Sequence, residues 1–149
     1  MAHTTENSAQ ARSAARKLLV QALYQRQMGA QPWQDLQRQF SADPEFERAD
    51  PEYFSVALGA VCDLSAQLDA ELRRHSDIEP ARLDPVEHAI LYLGLWELMA
   101  RPDIPYRVVI NEAVELAKRF GATDGHRYVN AVLDKASRVH RGVERGEVA

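Results

Sequence analysis

Apolar residues recur along this chain at spacings of three and four, and no stretch alternates with period two long enough to make a confident strand. An all-α, single-domain helical protein is the expected fold. The first helix is predicted from Ser8, its cap, to Met28, with Gly29 as the stop. Ala11, Ala15, Leu18, Leu19, Ala22 and Leu23 cluster on its buried face. Val20, Tyr24 and Met28 repeat every four residues on the far side, a second stripe to be covered by another helix of the chain or by a partner.

Pro32 starts a short helix with Trp33, Leu36 and Phe40 as anchors, followed by an acidic loop. Asp50-Pro51-Glu52 opens the longest predicted helix, which runs to about His75 on Phe54, Leu58, Val61, Leu68 and Leu72, with Ser65 filling a gap in the apolar series. Residues Ser76 to Arg82 read as a loop or a single short turn. Asp84 caps the next helix, Pro85 takes its first position and Glu87 is placed to reach back as in a capping box. AILYLGLWELMA beyond it is apolar around nearly the whole circumference, as suits a central buried element ending at Pro102. Glu97 shares a face with Val86, Ile90 and Leu93, so burial is expected, with N–H donors from the turn entering the next helix as its partners.

A helix from Pro105 to Gly121 buries Val109, Ala113, Leu116 and Phe120, and Gly121 is expected to turn left-handed past its end. A last helix follows Thr123-Asp124, either of which can cap it, with Tyr128, Val129, Val132, Leu133, Ala136 and Val139 as its buried stripe. The turn between these helices gathers Asp124, His126, Arg127 and Tyr128. Either Asp124 is a cap, His126 and Arg127 are solvated and Tyr128 is core, or the turn is a recognition corner with Tyr128 as stacking platform and Arg127 as phosphate contact.

Composition narrows this picture. A chain of 149 residues buries about 68–70% of its unfolded surface as one domain and needs no disulfide or metal. Its single cysteine, Cys62, lies among apolar neighbours and reads as a buried structural thiol in a reducing cytoplasm. The start is polar and no apolar run is long enough for a membrane, so a soluble, non-exported protein is expected, with a leader over residues 1–7, one domain over 8–140 and a flexible tail over 141–149. Phosphate loops, zinc spacings and nucleophile elbows are absent, and His3, His75, His88, His126 and His140 show no ligand spacing. No cofactor, no metal and no enzymatic activity are expected.

Net charge is −4 but uneven. Residues 1–29 carry four bases against one acid, a balance of +3; residues 106–149 carry +2 and residues 30–105 carry −9. Polyanions respond to local patches, so the basic ends, if they meet, would form a nucleic-acid surface despite the acidic total.

The run IPYRVVINEAVELAKRFGATDGHRYVNAVLDK resembles the signature of the bacterial transcription antitermination factor NusB family, and ARKLLVQALYQRQ resembles that family's first helix. The resemblance spans about Arg12 to Arg138. It implies a bundle of about seven helices in two packed subdomains that binds boxA single-stranded RNA of nascent ribosomal transcripts with ribosomal protein NusE, within an RNA polymerase antitermination complex. It further implies RNA contacts from Arg12, Arg16 and the adjoining Lys17 in the first helix, and from Asp124, Arg127 and Tyr128 at the last turn. Tyr24 and Glu87 match the NusE contact, with Val20 and Met28 on the Tyr24 stripe. Ser13 and Ala14 stand where further bases often occur, and Gly125 and Ala131 replace the serine and glycine of DSHKFVNG, which implies weaker RNA affinity or heavier dependence on NusE. A protein-binding scaffold or homodimer with incidental RNA contact is the alternative. The related RNA-binding module of ribosomal RNA cytosine methyltransferases is disfavoured, because the chain stops at Ala149 without a cofactor domain.

Overall fold

A computed structural model describes residues 5–147, with side chains from Ser8 onward. The described residues form seven α-helices, two short 3-10 turns and no strand, so the all-α expectation is met. They divide into two compact units, one ending at Asp63 and the other beginning at Leu64. The expected leader lies in part outside the described residues.

The first unit contains α1 (Thr5–Gly29), α2 (Trp33–Ser41), a 3-10 turn (Pro44–Arg48) and α3 (Pro51–Asp63). Helix α1 begins at least three residues before Ser8, so Ser8 is not its cap. At its other end Gly29 is the last helical residue, and Ala30 takes the left-handed conformation with φ 52° while its N–H reaches Arg26 O at 2.8 Å. Alanine in that region costs about 1–2 kcal/mol that glycine avoids. Ala30→Gly is therefore expected to raise stability by about 0.5–1 kcal/mol after its extra unfolded-state entropy is counted, read as a higher urea midpoint at unchanged slope.

Phe54 is fully buried, its ring 6.2 Å from Phe40 and 5.3 Å from the edge-on Phe46. Gly59 lets Trp33 close on α3, since a Cβ there would lie 3.3 Å from the indole. Asp50 caps α3 as predicted, accepting from Tyr53 N–H at 3.0 Å. Cys62 is buried, and that burial pushes its thiol up from its ordinary value, as befits an inert side chain. The long helix expected from Asp50 to His75 is two: Leu64, at φ −102° and ψ 12°, interrupts it next to the Ser65 gap in the apolar series.

The second unit contains α4 (Ser65–His75), a 3-10 turn (Pro80–Arg82), α5 (Pro85–Ala100), α6 (Tyr106–Phe120) and α7 (Gly125–His140). Asp84 caps α5 by accepting from Val86 and Glu87 N–H at 2.9 and 3.2 Å. Every residue from Glu87 to Leu98 is buried, Glu97 among them, so α5 is the element its neighbours α4, α6 and α7 pack upon. Asp69 on α4 ties it to α5, accepting from Tyr92 Oη at 2.9 Å and lying 2.8 Å from His88 Nε2. Phe120 and Val139, predicted as core, are exposed; the Arg119 guanidinium covers the Phe120 ring at 5.0 Å.

Arg141, at the C-cap of α7, is buried although the tail was expected to be flexible from that residue on. Its guanidinium donates to the carbonyls of Glu97, Leu98, Arg101 and Ile104 at 2.8–3.0 Å and to Glu144 Oε1 at 2.6 Å. A cation thus closes the C-terminal end of α5, where free carbonyls collect negative charge. Glu144 also caps α6, accepting from Tyr106 N–H at 2.8 Å, because Pro105 precedes the helix instead of opening it.

Burial alone would raise the Glu144 carboxyl, but the bonds from Tyr106 N–H and Arg141 outweigh it and hold the group below its ordinary 4.5. A depressed carboxyl contributes stability that is complete above the ordinary value and lost as pH falls through the lowered one. Glu144→Gln is accordingly expected to flatten the loss of stability below pH 4.5, measured as urea midpoints across an acid series.

Candidate nucleic-acid interface

The first basic surface is built on α1. Arg12 and Arg16, one turn apart, both lie over the ring of Tyr53 on α3, with guanidinium carbons 4.8 and 5.5 Å from its centroid. Arg12 is half-buried, whereas Arg16 is only 3% exposed. Arg16 thus departs from its expected place on an open phosphate-binding flank: at its helical angle it falls inside a buried arc wider than the apolar residues alone define. It supports Tyr53, over which Arg12 also lies. Lys17 pairs with Glu45 of the 3-10 turn at 3.2 Å, in an ion pair exposed enough for a phosphate to replace the carboxylate.

The same widened arc takes Val20, which is 3% exposed and so leaves the partner stripe. Tyr24 and Met28 remain, 40% and 57% exposed.

The second surface is the turn from α6 to α7. Gly121 is extended (φ −85°, ψ 178°), not left-handed; its value is room, since a Cβ would sit 2.7 Å from Ala117 O. The left-handed residue is Asp124, with φ 65° and ψ 4°, and its side chain makes no cap bond. Asp tolerates this region better than most residues. The acceptor that holds the turn comes from α5: Glu87 Oε2 takes the Ala122 N–H at 2.9 Å. Glu87 is therefore neither a capping-box residue nor an exposed partner contact. It is buried beneath the turn, close enough that a Cβ on Gly125 would overlap its carboxylate. Glycine at this position, where the family pattern has serine, gives that carboxylate its space.

Above this support, Arg127 is exposed and only loosely paired with the equally open Asp124, at 3.8 Å. Tyr128 is half-buried and its hydroxyl is hydrogen-bonded to Ser76. Burial raises the Tyr128 phenol, the Ser76 bond offsets part of this, and Glu87 and Asp77 add to the rise, so the ring stays uncharged at neutral pH. A neutral ring anchored at its hydroxyl next to an exposed guanidinium can stack on a base and contact a phosphate.

The NusB family model matches residues 13–138. The chain belongs to the NusB family. It is 50% identical over 124 residues to the transcription antitermination protein NusB of Pseudomonas putida (strain W619), covering 83% of this chain and 75% of that one. It is 47% identical over 131 residues to the protein of the same name from Pseudoalteromonas atlantica, covering 88% and 94%. A solved NusB structure from T. maritima matches with a TM-score of 0.77 and 27% identity, over 91% of this chain and 96% of that one. Among the described residues no helix is long and apolar enough to cross a membrane.

One grouping has no counterpart in the sequence pattern. Glu71, His75 and His140 come together although His140 lies 69 positions beyond Glu71. Burial would raise the Glu71 carboxyl, but hydrogen bonds and charge from His140 and His75 outweigh it, and the net displacement is downward. The histidines were expected to show no ligand spacing; Glu71 and His75 stand at i and i+4 on α4, neighbours on one helix face.

Proposed function

We propose that this chain is a non-enzymatic RNA-binding adaptor of transcription antitermination, acting in the cytoplasm. It binds boxA single-stranded RNA of nascent ribosomal transcripts together with ribosomal protein NusE and joins the RNA polymerase antitermination complex. The names of its relatives support the process, and the α6–α7 corner carries the RNA reading: Tyr128 anchored by Ser76, beside the exposed Arg127. Arg12 and Lys17 of the first unit and Arg127 of the second contact phosphates, and Tyr128 stacks on an unpaired base. Asp124 shapes the turn and offers base-edge acceptors. Arg16 and Glu87 position these residues without touching RNA.

NusE docks on the Tyr24 and Met28 stripe, a partly apolar surface open on α1. A mobility-shift assay with boxA RNA, with and without NusE, tests the reading. Binding is expected to strengthen with NusE and to exceed binding to a scrambled sequence. Equal retention of the two RNAs in the presence of NusE overturns it. The exposure of Tyr24 and Met28 also favours a second reading, a scaffold or homodimer for which RNA contact is incidental. Sedimentation before and after RNA addition separates the two, since a dimer that RNA does not dissociate and that binds no boxA favours the scaffold.

A further inference from the structure

The carboxylate–histidine cluster at the ends of α4 and α7 has chemistry that RNA binding does not use. Glu71 and His75 lie one turn apart on α4, and His140 is the last residue of α7. His75 Nε2 and His140 Nε2 stand 2.9 and 2.6 Å from the same oxygen, Glu71 Oε1. Ligand atoms from the three residues all lie within 4.8 Å of one another. The Glu71 and His75 side chains are each 8% exposed and that of His140 is 22% exposed, so the group is sheltered with one accessible side. We propose that Glu71, His75 and His140 form a binding site for a divalent transition cation of the zinc class.

Donor chemistry selects the class. Two imidazole nitrogens and one carboxylate suit a borderline cation such as Zn2+, whereas Mg2+ and Ca2+ require more oxygen ligands. Three protein ligands leave a fourth position for water. The helix ends add to this: His75 closes α4 and His140 closes α7, so the negative ends of two helix dipoles meet at the cluster and favour a cation there. Arg74 is the nearby opposing charge, but it faces the other carboxylate oxygen, Oε2, at 3.8 Å and is 71% exposed, which lets solvent screen it.

A four-coordinate zinc with bonds of about 2.0–2.1 Å holds its ligand atoms about 3.3 Å apart. The imidazoles must therefore separate slightly from Oε1. His140, partly exposed at a helix end, can make that movement. The cation takes the place of the imidazole protons facing Oε1; each ring then binds as the neutral tautomer with its single proton on Nδ1, and any proton in excess of that passes to solvent. Zinc would then join α4 to α7 within the second unit.

The test uses untagged full-length protein, because an oligohistidine tag would itself bind the probe. Chelator-treated protein is titrated with ZnCl2 alone by calorimetry. The expected result is one zinc per chain with a Kd of about 10 µM or below, and a thermal midpoint raised by several degrees at saturating metal. His140→Gln and His75→Gln are each expected to weaken binding about tenfold or more, with helicity retained in His140→Gln. His126→Gln, at the opposite end of α7, leaves affinity unchanged. Should a variant unfold, imidazole NMR of the wild-type chain decides. Zinc-induced shifts confined to His75 and His140 support the site, and shifts only at other histidines overturn it. No stoichiometric binding by about 100 µM zinc, or unaltered affinity in both variants, also overturns it.

Discussion

Arg141→Ala is expected to remove about 3–5 kcal/mol from the stability of the second unit, a large share of the 5–15 kcal/mol typical of a domain. The substitution deletes five hydrogen bonds at once, to four carbonyls and one carboxylate, although the Glu97 and Arg101 carbonyls keep the Arg101 and Ile104 N–H groups and Glu144 keeps that of Tyr106. Those carbonyls sit at or just beyond the C-terminal end of α5, so water can rescue only part of the loss. Arg141→Lys keeps the charge, but an ammonium has three donors and no planar fork, so it should recover less than half of the deficit. Trp96 is buried in the second unit, and in a Trp33→Phe background its fluorescence reports that unit's urea transition. A midpoint moved by less than about 1 kcal/mol equivalent would mean that the carbonyls find other donors.

Tyr128→Ala is expected to weaken boxA binding by about 1–3 kcal/mol, or about fivefold to 150-fold in Kd. Tyr128→Phe keeps the stacking ring and loses only the bond to Ser76, so its affinity should stay within about threefold of wild type. The phosphate contacts separate by a different measurement. Arg127→Ala and Arg12→Ala should each lower the slope of log affinity against log salt by about 0.7. Arg16→Ala should leave that slope alone and lower stability instead, because its guanidinium is packed on Tyr53. Matching slope losses for Arg12→Ala and Arg16→Ala would show that Arg16 leaves its buried place to meet RNA.

What the sequence made legible, and what it hid, divides along the range of the interactions. The caps at Asp50 and Asp84 act within three residues and were readable from spacing alone. The all-round apolar run of α5 likewise announced its burial. Reading stopped where a distant residue decided the outcome. Glu87 looked like a capping-box partner, but its carboxylate accepts from the Ala122 N–H, 35 positions later. Arg16 and Val20 were misplaced because a helical wheel shows angles and not how wide an arc the neighbours cover. His75 and His140, and Arg141 with α5, could not be paired by any local pattern. The candidate RNA corner falls between these cases. Its residue types were visible in order, while the left-handed Asp124 and the Ser76 anchor of Tyr128 needed coordinates.

Helix α5 is buried on every side from Glu87 to Leu98, and its coverage comes partly from segments made after it. Synthesis from the amino terminus therefore releases an oily rod before α6, α7 and Arg141 exist to enclose it. During that interval the nascent chain exposes apolar surface of the kind that promotes aggregation. A ribosome stalled short of residue 141 would leave a sticky fragment in place of a shorter working protein.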